Sequence, residues 1–350
     1  MVICFLAFVI SFVIVVFFTP SLIKVAQLKG LIDKPDTERK LHEGEIPTIG
    51  GVMIFTATLF SYTLTYPIPY IQTYNFELAC MLILFFVGIK DDIIGTAPIK
   101  KLAAHVLVAM ILVLMANIRI KGLHGIFMIN ELPEGISIFL SIFTFIVIIN
   151  AFNLIDGVDG LASGTGFIAA MAFGFWFYGA GNLVLSCFAF ALAGSLLGFL
   201  GFNFAPARIF MGDSGSLIIG LILAILALQL IEYEKSYNLI QPLDKISKPA
   251  FVVAVIIYPL YDTLRIFIYR AARGVSPFSA DRNHIHHRLQ DIGLSHRQVV
   301  LVVYAINLGT ISTSIALMEF DPSTQFVGVI VAAFIFFQIP FLYKTKKFQF

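Results

Sequence analysis

Charge is scarce in this chain. Only 13% of its 350 residues are Asp, Glu, Lys or Arg, while 59% are hydrophobic. An average soluble domain carries about 25% charge, so a water-solvated globular surface cannot be built from this composition. The net charge of +2 is too small for an electrostatic grip on nucleic acid. Cysteine is equally sparse. Cys4, Cys80 and Cys187 sit inside apolar runs with no CxxC pair, which excludes a disulfide framework or thiolate metal site and leaves them as small core residues. No basic stretch precedes the first apolar run and no small-residue cleavage site follows it. Residues 2–23 are therefore expected to remain as a first helix rather than act as a cleaved signal peptide.

What is present is a succession of apolar runs long enough to cross a bilayer. They predict an all-α, polytopic integral membrane protein with about 11 transmembrane helices, near 2–23, 49–66, 76–90, 101–118, 136–152, 165–180, 182–202, 214–232, 249–271, 298–318 and 325–343. No soluble domain interrupts them, so residues 1–350 read as one transmembrane domain. Alternate loops divide the basic residues unequally, with 18 of the 23 Lys and Arg on one side and 5 on the other. The richer side is expected to be cytoplasmic, with the N-terminus outside and the C-terminus inside. The outer segment 119–135 alternates weakly and suggests a short hairpin, with no chemistry assigned to it.

Five polar motifs fall on the cytoplasmic side: Pro47–Gly51, Asp91-Asp92, Asn153-Leu-Ile-Asp156-Gly-Val-Asp159, Phe210-Met-Gly-Asp213-Ser-Gly-Ser216 and Asp281-Arg-Asn-His284-Ile-His286-His287-Arg288. An Asp deep in a membrane costs roughly 2.5–3.5 kcal/mol even on lenient scales, so acids clustered at helix ends point to a cation, a substrate or a water-filled cavity. On a continuous helix, Asn153, Asp156 and Asp159 would share one face; the alternative is a solvated turn after a helix end. Adjacent Asp91 and Asp92 point about 100° apart on a helix, one facing a site and one a neighbour. Carboxylates with an amide are hard oxygen ligands suited to Mg2+. The Gly-Asp-Ser-Gly-Ser run resembles a helix start whose N–H groups cradle phosphate, although Asp213 and Ser214 are also good caps. His284, His286, His287 and Arg288 concentrate donors for a sugar phosphate. Zinc is the weaker reading of those histidines, for want of another Cys or His nearby in sequence. Together these motifs describe phosphoryl transfer, which needs positioning and charge neutralisation above all, onto an acceptor that resides in lipid. The rival, a transporter, predicts acids near the midplane and repeated halves, whereas these acids gather on one side.

The same five motifs, in this order along essentially the whole chain, resemble the polyprenyl-phosphate N-acetylhexosamine-1-phosphate transferases. The His-Ile-His-His-Arg loop and eleven spans resemble the undecaprenyl-phosphate GlcNAc-1-phosphate branch. The related phospho-MurNAc-pentapeptide translocases carry a His-His-His-x-Glu-type motif and ten spans. The resemblance implies transfer of GlcNAc-1-phosphate from UDP-GlcNAc to undecaprenyl phosphate in the cell (inner) membrane, with Mg2+ or, as an alternative ion, Mn2+. Other UDP-HexNAc donors, UDP-MurNAc-pentapeptide among them, remain the alternatives. It implies Asp213 as principal metal ligand with Asn153 and Asp156 or Asp159 nearby, Phe210 against uracil, and Asp91 and Asp92 at the lipid phosphate. It also implies Lys100, Lys101 and Arg288 as candidates for diphosphate neutralisation, a homodimer by analogy, and an active site built from loops near 24–48, 91–100, 153–164, 203–213 and 272–297.

Overall fold

The computed structural model describes residues 2–33, 46–65, 75–233, 243–274 and 284–342. Among the described residues the regular structure is helical apart from a two-residue antiparallel pair, β1 (Ile32–Asp33) with β2 (Ile46–Pro47). Eight helices among the described residues are long and apolar enough to span a membrane. They are α1 (Val2–Leu28), α4 (Pro98–Met110) with its π-helical extension to Met115, α5 (Glu134–Leu154), α6 (Leu161–Gly179), α7 (Leu183–Asn203), α8 (Asp213–Ile231), α12 (His296–Ala316) and α13 (Pro322–Leu342). This makes a multi-pass membrane protein.

The other three expected spans differ in kind. α2 (Gly51–Thr65) is apolar but short. α3 (Asn75–Ile94) carries Glu77, Lys90, Asp91 and Asp92. The span expected over 249–271 is not one straight helix: α9 (Lys248–Val255) and α10 (Ile257–Ala272) meet at 75°. The cause is Pro259, whose missing N–H leaves the Val255 carbonyl without its helical donor. Asn307 Nδ2 on α12 donates to that carbonyl at 3.2 Å, and Thr310 Oγ1 donates to Ala254 O at 3.1 Å. The break is thus satisfied within the protein, as a break at membrane depth must be.

α8 is the axis of the molecule. It is apolar on every side and buried along almost its whole length, as such a helix must be. α2, α3 and α5 pack against it through glycines that admit backbone to backbone. A Cβ on Gly51 would overlap Ser214 and Gly215 backbone, one on Gly88 would lie 2.5 Å from Ser214 Cα, and one on Gly220 2.8 Å from Ile149 Cα. Gly51→Val is accordingly expected to cost 1–3 kcal/mol, roughly the usual cost of overpacking, or more. Thermal unfolding in detergent checks this, and an unshifted Tm would refute the close approach. α1 packs on α7 and α2, where Cys4 and Cys187 meet as buried free thiols.

Segment 119–135 contains no strand pair, correcting the hairpin expectation. It is an irregular loop with a 3-10 turn at Ile126–Met128. Glu232 pins it by accepting from Lys121 N at 2.8 Å, beside His124 Nε2 at 3.2 Å.

Candidate active site

The start of α8 gathers four of the five motifs. The Pro47–Gly51 segment lies along the backbone leading into α8: Phe210 N donates to Pro47 O (2.8 Å), Gly50 N to Phe210 O (3.0 Å) and Gly51 N to Met211 O (2.8 Å). Gly212 closes this approach at φ +73°, where a Cβ would also press on Asp92, so a left-handed, side-chain-free residue is required there.

From α3, the two adjacent carboxylates diverge as their helical spacing demands. Asp92 accepts from Asp213 N (2.7 Å) and Ser214 N (3.1 Å). This corrects the phosphate-cradle expectation. Two of the amides at the α8 start are held by a carboxylate of the protein itself, which supplies the negative charge that a helix N-terminus favours. Asp91 instead meets Lys101 Nζ at 3.1 Å, and the same ammonium reaches Asp213 Oδ2 at 2.8 Å. Lys101, on α4, therefore bridges two motifs, whereas Lys100 is exposed. Asp213 Oδ1 accepts from Asn153 Nδ2 at 2.9 Å, and Asn153 also donates to Ser216 Oγ at 3.0 Å.

The continuous-helix expectation for Asn153, Asp156 and Asp159 fails. α5 ends at Leu154, and Asp156 and Asp159 lie in the turn before α6. α5 closes with Ile155 as its C-cap, and Gly160, at φ +82°, opens α6, so the three polar residues do not share one helix face. The turn still brings Asp156 to the cluster, where it accepts from the Gly212 backbone. Burial, then the charges of Asp213, Asp92 and Asp159, push its carboxyl well above the ordinary carboxylate range. Asp159 faces another way: it is buried, and Oδ2 accepts from Ala207 N at 2.9 Å, tying this turn to the loop before Phe210. The Phe210 ring is half-buried.

A group of oxygen ligands with excess negative charge fits a hard dication. Asp213, Asp156, Asp91 and the Asn153 amide offer oxygens, and the structure offsets their charge locally with Lys101. Among the described residues the cluster's donors are carboxylates and an amide, a set that suits Mg2+ better than zinc.

The histidine motif forms a second, separate group. Asp281 lies outside the described residues. His284 is the N-cap of α11 (Ile285–Asp291). Its Nδ1 meets Asp262 Oδ2 of α10 at 2.6 Å, and Ile285 N donates to Asp262 Oδ1 at 2.9 Å. His284 and His286 are turned inward and buried, whereas His287 and Arg288 are half-buried. Burial lowers the His286 imidazole to about 3, so it is neutral at physiological pH. The sequence reading missed Asp262 and Ser216. An acid inside an apolar span, as Asp262 is in Tyr-Pro-Leu-Tyr-Asp262, was the available signal; Ser216 had none beyond its motif.

Comparison with known proteins identifies the family. The profile described as glycosyl transferase family 4 matches residues 75–231, which include Asp91, Asp92, Lys101, Asn153, Asp156 and Asp213. The undecaprenyl-phosphate alpha-N-acetylglucosaminyl 1-phosphate transferase of Escherichia coli O157:H7 is 32% identical over 326 residues, covering 90% of this chain and 84% of the relative. The protein of the same name from Salmonella typhi is 33% identical over 323 residues, with 89% and 83% covered. The decaprenyl-phosphate N-acetylglucosaminephosphotransferase of Mycobacterium tuberculosis is 32% identical over 357 residues, with 94% and 87% covered. With relatives matched at this level over most of their length, the chain belongs to glycosyl transferase family 4, among its polyprenyl-phosphate N-acetylhexosamine-1-phosphate transferases.

Proposed function

We propose that this protein transfers N-acetylglucosamine-1-phosphate from UDP-GlcNAc to undecaprenyl phosphate, releasing UMP, at the cytoplasmic face of the cell membrane. The observation that carries the reading is the convergence of Asp91, Asp92, Lys101, Asn153, Asp156 and Asp213 on one end of α8. The product, a lipid-diphospho-sugar, begins a cell-envelope polysaccharide.

In this reading an oxygen of the lipid phosphate attacks the phosphorus bearing the sugar, and the bond from that phosphorus to the UMP oxygen breaks. The acceptor needs little help from a base, because a phosphomonoester has a second pKa of about 6 and is mostly ionised at neutral pH. Asp91 is thus assigned to positioning the acceptor and Lys101, rather than to obligatory proton removal. Asp213 and Asp156, with the Asn153 amide, are the residues that would hold Mg2+. When bound, that ion neutralises diphosphate oxygens and stabilises the charge that develops on them. Lys101 offers an ammonium to the same oxygens, being already poised between Asp91 and Asp213. Asp92 holds the start of α8, and Asp213 with it, in register. Phe210 is assigned to the uracil, and His287 with Arg288 to the sugar phosphate.

The test is UMP release by purified protein given Mg2+, undecaprenyl phosphate and one of UDP-GlcNAc, UDP-GalNAc or UDP-MurNAc-pentapeptide. UMP is expected only with UDP-GlcNAc and lipid together. Turnover of the pentapeptide donor in its place would overturn the choice of sugar, and UMP without lipid would overturn the acceptor.

A further inference from the structure

The three histidines of this motif lack a further metal ligand close by in sequence. The fold supplies one from a residue 22 positions away from His284. Asp262 is fully buried on α10, and one ligand atom each from Asp262, His284 and His286 lie within 4.8 Å of one another. The His284 and His286 rings are nearly parallel, 9° apart in plane with centroids 5.2 Å apart. His286 is 2% exposed and its Nδ1 has no hydrogen-bond partner. A buried ring nitrogen left unsatisfied is costly, and it marks a place where another group belongs.

We propose that Asp262, His284 and His286 form a buried site for a divalent transition ion, Zn2+ foremost, distinct from the carboxylate cluster at α8. Two imidazoles and one carboxylate are a familiar three-ligand zinc set that leaves a position for water, and imidazole ligands disfavour Mg2+. Arg265 Nη2 stands 3.7 Å from Asp262 Oδ1, the oxygen that already accepts from Ile285 N. Oδ2, which meets His284 Nδ1 at 2.6 Å, is the oxygen that would ligate, with the ion displacing the proton shared between them. His287, its ring centroid 4.3 Å from that of His286, and Arg288 sit on the same short helix. Binding would clamp α11 to α10 and fix the direction in which these two half-buried donors point.

The readout is bound metal, independent of the hexosamine reaction. Full-length protein in detergent is stripped with chelator, dialysed against Zn2+ in excess Mg2+, and its metal counted by mass spectrometry. Co2+ serves as a visible probe of coordination by nitrogen and oxygen. One zinc per chain is expected in the parent, in His296→Ala and in Asp213→Asn, with retention at least about tenfold weaker in His286→Ala and Asp262→Asn. His286→Gln, which keeps a polar side chain of similar size, decides the matter where Asp262→Asn fails to give a monodisperse protein. Zinc retained unchanged in both His286 variants, zinc lost from Asp213→Asn, or no zinc above background in the parent would each overturn the proposal.

Discussion

Asp213→Asn is expected to lower turnover by at least ~10²–10³-fold, the usual loss when one electrostatic contact to developing charge is removed, while the protein still folds. Asp213 is the meeting point of the site. One oxygen accepts from Asn153, the other faces Lys101, and its backbone N–H is held by Asp92. An amide at this position retains the shape and the backbone bond but loses the charge. Its oxygen can satisfy only one of the two donors, so its NH2 is left facing either the Lys101 ammonium or the Asn153 amide. Steady-state UMP release across a Mg2+ titration is the measurement. The loss should persist at saturating Mg2+ if Asp213 stabilises the reacting state and does more than recruit the ion. Near-normal turnover from a well-folded variant would show that the metal assignment is wrong.

The second large effect has opposite signs for activity and stability. Burial, together with the charges of Asp213, Asp92 and Asp159, raises the Asp156 carboxyl well above the ordinary range. Between that ordinary value, about 3.9, and the raised one, the folded protein binds more protons than the unfolded chain. Stability therefore falls as pH rises through the interval. Asp156→Asn removes the titration and keeps an acceptor for the Gly212 backbone. The variant is expected to melt higher than the parent at neutral pH without Mg2+, and the gain should shrink as pH approaches 4 (about the ordinary Asp value). Mg2+ should raise the Tm of the parent and do so much less for the variant, whose turnover falls. A lower Tm for the variant at neutral pH would sink this account of the site as a reservoir of unbalanced negative charge. Such a trade, with stability given up where function needs charge, is a common signature of active sites.

Much of this was legible in the sequence because apolar runs and charge placement are one-dimensional signals. A run of twenty apolar residues reads as a span whatever surrounds it. Asp91, Asp92, Asn153, Asp156 and Asp213 stood out because acids and other strongly polar groups beside apolar runs are costly. Their partners were harder to read. That Asp92 would take two amides of a helix starting at residue 213, and so occupy the cradle expected for phosphate, depends on a contact across 121 positions. The break at Ile256 was signalled locally by Pro259, but the donors that make it tolerable, Asn307 and Thr310, come from another helix.

The sequence alone determined that this is a helical membrane protein with its acids and histidines gathered into a few motifs, because hydropathy and the cost of buried charge act residue by residue. It also determined, through Gly51, Gly88 and Gly212, where backbones were free to come close. Which charges meet was decided only by the tertiary structure. The packing of α2, α3 and α5 around α8 turned Asp92 into a cap, set Lys101 between Asp91 and Asp213, and sent Asp159 to brace a loop. The fold of α10 against α11 paired Asp262 with His284. The physical reason is the short range of these interactions: a hydrogen bond or ion pair exists only within about 3–4 Å, and only the assembled bundle brings residues so far apart in the chain within that reach.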